Sequence, residues 1–316
     1  MQEQVTALKQ KAPAGAAPPH SVLRRTLTGV GLIATFGTLL YLDHRFRNGV
    51  GIHLSGGLEL EDALVKGGAI VALAGAVLVA WALYEYARVA AGLGVALSGP
   101  LLAAGGVVLF LLQWAGWLFR HGGLLIIPPW LRDPGLTALV ALCGVSLAIL
   151  AQRAVAGRIE KSAEAAGLAV LGLLYIAVTL GFLNAIRTSS WGLKGLMTCV
   201  AVCKVTDIGA YYAGTFLRGW QLAPVVSPNK TVAGAVGGTL AAALVGVVLS
   251  LLRGSILTPL QGLLYGLLAG PVCIVGDLAE SVLKRQAAVK DTVVLDLVDG
   301  LLFGVPFSYF FFLAVQ

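Results

Sequence analysis

Charge is what this sequence has least of. Only 12% of its 316 residues are Asp, Glu, Lys or Arg, about half of the ~25% usual in soluble domains. With 58% hydrophobic residues, that excludes an ordinary water-soluble globule and makes the chain a polytopic helical membrane protein. Histidine is equally scarce. His20, His44, His53 and His121 stand apart from every polar cluster, which excludes a histidine metal centre and a histidine general base. The four cysteines, Cys143, Cys199, Cys203 and Cys273, all fall inside apolar runs; they make no disulfide framework, and the i, i+4 pair Cys199/Cys203 reads as small core residues. Despite a net charge of +7 there is no basic run of five or more residues, so no nucleic-acid partner is expected. The excess belongs with membrane orientation and with anionic headgroups or nucleotide phosphates. A Walker-type Gly-x-x-x-x-Gly-Lys loop is missing too.

Apolar runs of membrane-crossing length are abundant. They fall at about 26–42, 67–84, 98–119, 135–151, 166–185, 195–213, 232–252, 257–276 and 299–316, each near the ~20 residues that span a ~30 Å hydrocarbon layer. The 41 glycines suit close helix approach. The reading is an all-α polytopic membrane protein of about nine transmembrane helices. Residues 1–21 read as a disordered cytoplasmic tail, with Pro13, Pro18 and Pro19. Residues 22–190 read as scaffold helices and 191–316 as the catalytic helices, because polar residues concentrate in the second half. The first run follows Arg24-Arg25 and reads as a retained helix rather than a cleaved signal. A cytoplasmic N-terminus places Arg24, Arg25, Arg153, Arg158, Lys161, Lys230, Lys284, Arg285 and Lys290 on the inner side. The segments 214–231 and 277–298 then face the cytoplasm.

Two constellations carry chemistry. In the first, Lys204 and Asp207 lie at i, i+3 on one face of an otherwise apolar helix, where an unpaired charge costs about 2.5–3.5 kcal/mol. It continues through Ser227-Pro228-Asn229-Lys230-Thr231, which reads as a turn feeding a helix that Thr231 caps near Val232, a cradle suited to phosphate. In the second, Asp277, Ser281 and Lys284 recur at i, i+4 and i+7 with Glu280 alongside, and Asp296 and Asp299 share a face of the last span. Two helices that each offer a carboxylate edge suit one or two divalent cations in an oxygen shell. A purely structural set of interfacial charges is the competing reading.

These blocks resemble the phosphatidate cytidylyltransferase (CDP-diacylglycerol synthase) family. The matching residues are Lys204, Asp207, Gly209, Ala210 and Tyr211; then Ser227, Pro228, Lys230, Thr231 and Gly234; then Gly276, Asp277, Leu278, Ser281, Lys284, Arg285, Lys290 and Asp291. Leu23-Arg24-Arg25-Thr26 and Tyr84-Glu85-Tyr86 are similar as well. The chain departs from the family where a Pro-Gly-His-Gly-Gly loop should follow Asp291. Leu297 stands where an arginine is expected, and Ala233 where glutamate is common.

The resemblance implies condensation of CTP with phosphatidate to CDP-diacylglycerol and pyrophosphate, at the cytoplasmic face of the cell's inner membrane. It implies Mg²⁺, with a second cation as an option, held by Asp277, Asp296 and Asp299. Lys284, Arg285, Lys290 and Asp291 join Asp277 as expected catalytic residues. Asp207, Tyr211, Ser227, Lys230, Thr231 and Ser281 are the expected substrate contacts. The expected partners are CTP, phosphatidate, the lipid bilayer and a second copy in a homodimer. An impaired relative that binds without turnover, a CTP-dependent lipid kinase and a transporter remain as alternatives.

Overall fold

A computed structural model describes residues 68–122, 134–157, 159–290 and 292–316, together with Thr38. The expected tail and nearly all of the expected first span lie outside the described residues, as does Asp291. The helices are α1 (Ala69–Gly92), α2 (Gly99–Gly122), α3 (Pro134–Val155), α4 (Ser162–Gly172), α5 (Thr179–Thr188), α6 (Gly192–Leu217), α7 (Val232–Ser250), α8 (Pro259–Gln286) and α9 (Leu295–Val315). A π-helical turn, Leu173–Val178, joins α4 to α5 so that they run as one rod. A two-stranded antiparallel hairpin, β1 (Gln221–Ala223) and β2 (Ser227–Thr231), separates α6 from α7.

Among the described residues, seven helical segments are long and apolar enough to cross a membrane. Helix α6 is as long as these but is interrupted by Lys204 and Asp207, so its polarity has to be absorbed by neighbours. The architecture is an all-α bundle that fits a polytopic membrane protein.

Small residues draw the second-half helices together. A Cβ on Gly276 of α8 would come 2.7 Å from the Asp299 carbonyl of α9 and 3.2 Å from the Phe303 ring, so this crossing requires glycine. The antiparallel pair α8/α9 is pinned at both ends. At one end Gln261 Nε2 donates to the Val315 carbonyl at 3.0 Å; at the other Lys284 meets Asp296 at 2.6 Å. A capping box of Thr258 and Gln261 starts α8. From there its 28 residues extend about 42 Å at ~1.5 Å per residue, well beyond a ~30 Å hydrocarbon core. The first ~20 residues reach Asp277, which places the charged turns at and past the membrane edge.

The rest of the core is aliphatic and aromatic. Leu83, Tyr86, Leu102, Phe110, Leu173 and Ile176 are fully buried in the first half, and Leu196, Tyr265 and Phe312 in the second. Cys199, Cys203 and Cys273 are free, buried thiols, as small core residues should be.

Candidate active site

The end of the bundle where α6, α8 and the hairpin meet the start of α9 gathers the charged side chains. Lys204 Nζ lies 2.9 Å from Asp207 Oδ2 and donates to the Leu297 carbonyl at 2.7 Å. The position where the family's arginine is expected therefore offers a backbone acceptor to a lysine from another helix. Lys230 Nζ, delivered by β2, stands 2.6 Å from Asp277 Oδ1. Its geometry is that of a charge contact rather than an aligned hydrogen bond. Lys284 bridges Glu280 at 3.2 Å and Asp296 at 2.6 Å.

Asp277, Glu280 and Asp299 each place a carboxylate oxygen within 4.8 Å of the others, and both Glu280 and Asp299 are buried. Asp207 interacts electrostatically with Asp277 and Lys230, and Asp299 with Asp277, Asp207 and Lys204. The two blocks, some 70 positions apart in the chain from Asp207 to Asp277, thus form one constellation. Three oxygen donors at this spacing, with no sulfur or imidazole among them, match a hard divalent cation such as Mg²⁺.

Asp296 does not belong to that trio. It is engaged by Lys284 and by the Thr292 hydroxyl, and Glu280 takes the third place. Glu280 sits one turn from Asp277, so the i, i+3 spacing was the signal for it; only the fold shows that Asp296, three residues before Asp299, turns to Lys284.

The Ser227–Thr231 block is not itself a turn. The turn is formed by residues 224–226, and Ser227–Thr231 is strand β2, with Gln221 opposite Thr231 and Ala223 opposite Ser227. Pro228 is tolerated there because a two-stranded ribbon has a free edge needing no N–H. Thr231 does cap α7, its hydroxyl accepting from Gly234 N–H at 3.0 Å. Arg285 Nε donates to the Val226 carbonyl at 3.2 Å and ties the hairpin to α8. Ser281 donates back to the Asp277 carbonyl at 2.9 Å. Tyr211 packs edge-on to Tyr212 at 5.5 Å, and Lys290 is exposed.

The start of α9 has no cap of its own, because Val294 occupies that position. Its open N–H groups are met by Glu85 of α1, which is 3% exposed. Glu85 accepts from Val293 at 3.0 Å, Val294 at 3.0 Å and Leu295 at 2.9 Å, and also from Trp81 Nε1 at 3.1 Å. A carboxylate at a helix N-terminus meets both orphan donors and the helix dipole. A lone acid in an apolar helix was the available sequence signal, but nothing in the sequence links it to residues 293–295.

The profile of the Cytidylyltransferase family matches residues 24–315. The chain belongs to that family. A Brucella suis protein named phosphatidate cytidylyltransferase is 34% identical over 210 residues, covering 64% of this chain and 73% of the relative. A Staphylococcus saprophyticus protein of the same name is 29% identical over 251 residues, 77% of this chain and 90% of the relative. The Bacillus subtilis protein of that name is 33% identical over 153 residues, 46% of this chain and 57% of its own length. The family match runs through the segment after Lys290 and includes the whole cluster described above.

Proposed function

We propose that this membrane protein is a nucleotidyltransferase that condenses CTP with phosphatidate to give CDP-diacylglycerol and pyrophosphate, serving phospholipid synthesis. The observation that carries the proposal is the carboxylate trio Asp277, Glu280 and Asp299 set beside Lys230 and Lys204 at the edge of the apolar bundle, in a chain of the Cytidylyltransferase family.

In that reaction an oxygen of the lipid phosphate attacks the α-phosphorus of CTP, and the bond to the pyrophosphate oxygen breaks. The attacking monoester is already ionised near neutral pH, so no strong base is needed. Two anions must instead be held in line with their charge offset. Asp277, Glu280 and Asp299 would hold Mg²⁺. When bound, it would supply charge neutralisation to the phosphate oxygens.

The chain's own residues do the rest. Lys230, on a strand tied to α8 through Arg285, is positioned to take a nucleotide phosphate oxygen in exchange for part of its contact with Asp277. Lys204 holds the Asp207 carboxylate and the start of α9 together. Lys284 keeps Glu280 and Asp296 paired and offers charge to the leaving pyrophosphate. Exposed Arg285 and Lys290 face the side from which headgroup and nucleotide enter, the cytoplasm of a bacterial inner membrane in this reading. An open apolar groove of about 480 Å³ between α7 and α8 is lined by Val232, Val236, Pro271, Val275 and Leu278, of which Val232 and Leu278 directly follow Thr231 and Asp277 in the chain. It gives an acyl chain a path away from the charged end.

Purified protein supplied with α-labelled CTP, phosphatidate and Mg²⁺ should release pyrophosphate and form labelled CDP-diacylglycerol. Nucleotide binding without product would overturn turnover in favour of an impaired relative. Transfer of label from γ-labelled CTP to lipid would instead make it a lipid kinase.

A further inference from the structure

Tyr175 lies on the π turn between α4 and α5, outside every block that the family resemblance rests on. Its hydroxyl is buried and has no hydrogen-bond partner among the described residues. It interacts electrostatically with Glu280, Asp299 and Asp277, the three carboxylates of the trio. Its ring meets Phe303 edge-on at 6.4 Å, and Phe303 in turn covers Gly276 at the α8/α9 crossing.

A buried hydroxyl left unpaired costs about 1–3 kcal/mol, a cost that a bound oxygen, of water or of a ligand, would remove. The surroundings here are rich in acceptors, yet none is bonded to it. An oxygen lodged between the phenol and the carboxylates would satisfy it. The backbone around the residue is specifically supported: Thr179 Oγ1 donates to the Tyr175 carbonyl at 2.6 Å, occupying an acceptor in the irregular π register. One extra residue per turn rotates the following side chains by about 100°. The scaffold half sets a neutral hydroxyl within electrostatic range of a site otherwise built of carboxylates and ammonium groups.

We propose that the Tyr175 hydroxyl donates a hydrogen bond to an oxygen held by the Asp277/Glu280/Asp299 group, making it a ligand-contacting residue supplied by the scaffold helices. The inference rests on the trio being the cation site of the proposed function. The chemistry is that of a cation-bound oxygen, which is water when the cation binds alone and a phosphate oxygen when nucleotide is present.

The test is thermal unfolding of purified full-length protein and its Tyr175→Phe variant, titrated with Mg²⁺ alone and with Mg²⁺ plus CTP. Without ligand, Tyr175→Phe should melt at or above the wild-type temperature, because it removes only an unpaired hydroxyl. With ligand, its apparent affinity should be about five- to tenfold weaker, the size of one hydrogen bond of ~1–1.4 kcal/mol. Weakening already in Mg²⁺ alone assigns the oxygen to water; weakening only with CTP assigns it to phosphate. Ligand affinity equal to wild type overturns the inference while leaving the cation site standing. So does a lower melting temperature without ligand, which would mean the hydroxyl has a structural partner. If wild type responds to neither titration, or responds as Asp299→Asn does, the cation site itself is refuted and the inference falls with it.

Discussion

Single residues at this site have more than one task, and Glu85 shows it most clearly. It is an acid buried in an apolar helix, a position that costs several kcal/mol unless compensated, and the backbone N–H groups of Val293, Val294 and Leu295, leading into α9, compensate it. Glu85→Ala should lower stability by about 3 kcal/mol through orphaned amides, with Glu85→Gln in between because one acceptor oxygen survives. Thermal unfolding in detergent checks this, and a Glu85→Ala melt identical to wild type would refute the cap. Lys284 is the second such residue, since it holds Glu280 and Asp296 at once. Lys284→Met should cut turnover about 100-fold, the scale of losing one preorganised charge contact, with partial recovery in Lys284→Arg. Unchanged turnover would remove Lys284 from the machinery.

Among the elements, the α8/α9 pair sets the site's geometry. Gly276 permits the approach that brings Asp277 near Asp299. Gly276→Ala must push the helices apart at the Asp299 carbonyl, costing about 1–3 kcal/mol and separating the carboxylates. Gly262, far along α8 from Asp277, also packs against backbone, that of Gly246 in α7. Gly262→Ala should therefore destabilise comparably while keeping activity per folded molecule. Equal activity losses in the two variants would show that the α8/α9 spacing is not what matters. At this scale the sequence was legible wherever the membrane imposes a length. The expected runs at 67–84, 98–119, 135–151 and 232–252 correspond to α1, α2, α3 and α7, because an apolar layer requires ~20 apolar residues. The end of α8 was legible in part. Hydropathy stops near residue 276, but the i, i+4, i+7 spacing of Asp277, Ser281 and Lys284 carries the helix on, and it runs to Gln286, since the backbone keeps its hydrogen bonds after the side chains become polar. The π turn was hidden, as one extra residue in an apolar run leaves no compositional trace.

For the molecule as a whole, the charged end of the bundle must lie in one compartment. With a cytoplasmic N-terminus, Lys290→Cys in a Cys143→Ser background should resist a membrane-impermeant thiol reagent in intact cells and react in inverted membrane vesicles. The three remaining native thiols are fully buried and should stay silent. Labelling in intact cells would reverse the orientation. The same view explains why the first half reads as featureless. Among the described residues, its contribution to the site comes from Glu85 and Tyr175, two polar residues that meet segments more than 100 positions away in the chain.

By itself the sequence determined the class of the protein, most of the long apolar helices in its described part, the family, and the two blocks of chemistry. Those depend on composition and local spacing, which the bilayer and the helix repeat constrain directly. Only the tertiary structure decided which carboxylates meet. Glu280 rather than Asp296 is the third carboxylate within reach of both Asp277 and Asp299, while Asp296 adjoins Glu280, with which it shares Lys284 and Thr292. It also decided that a strand rather than a turn delivers Lys230, and that α9 begins on a carboxylate from α1. These choices depend on how helices far apart in the chain cross, and on which buried donors and acceptors are then left to find each other.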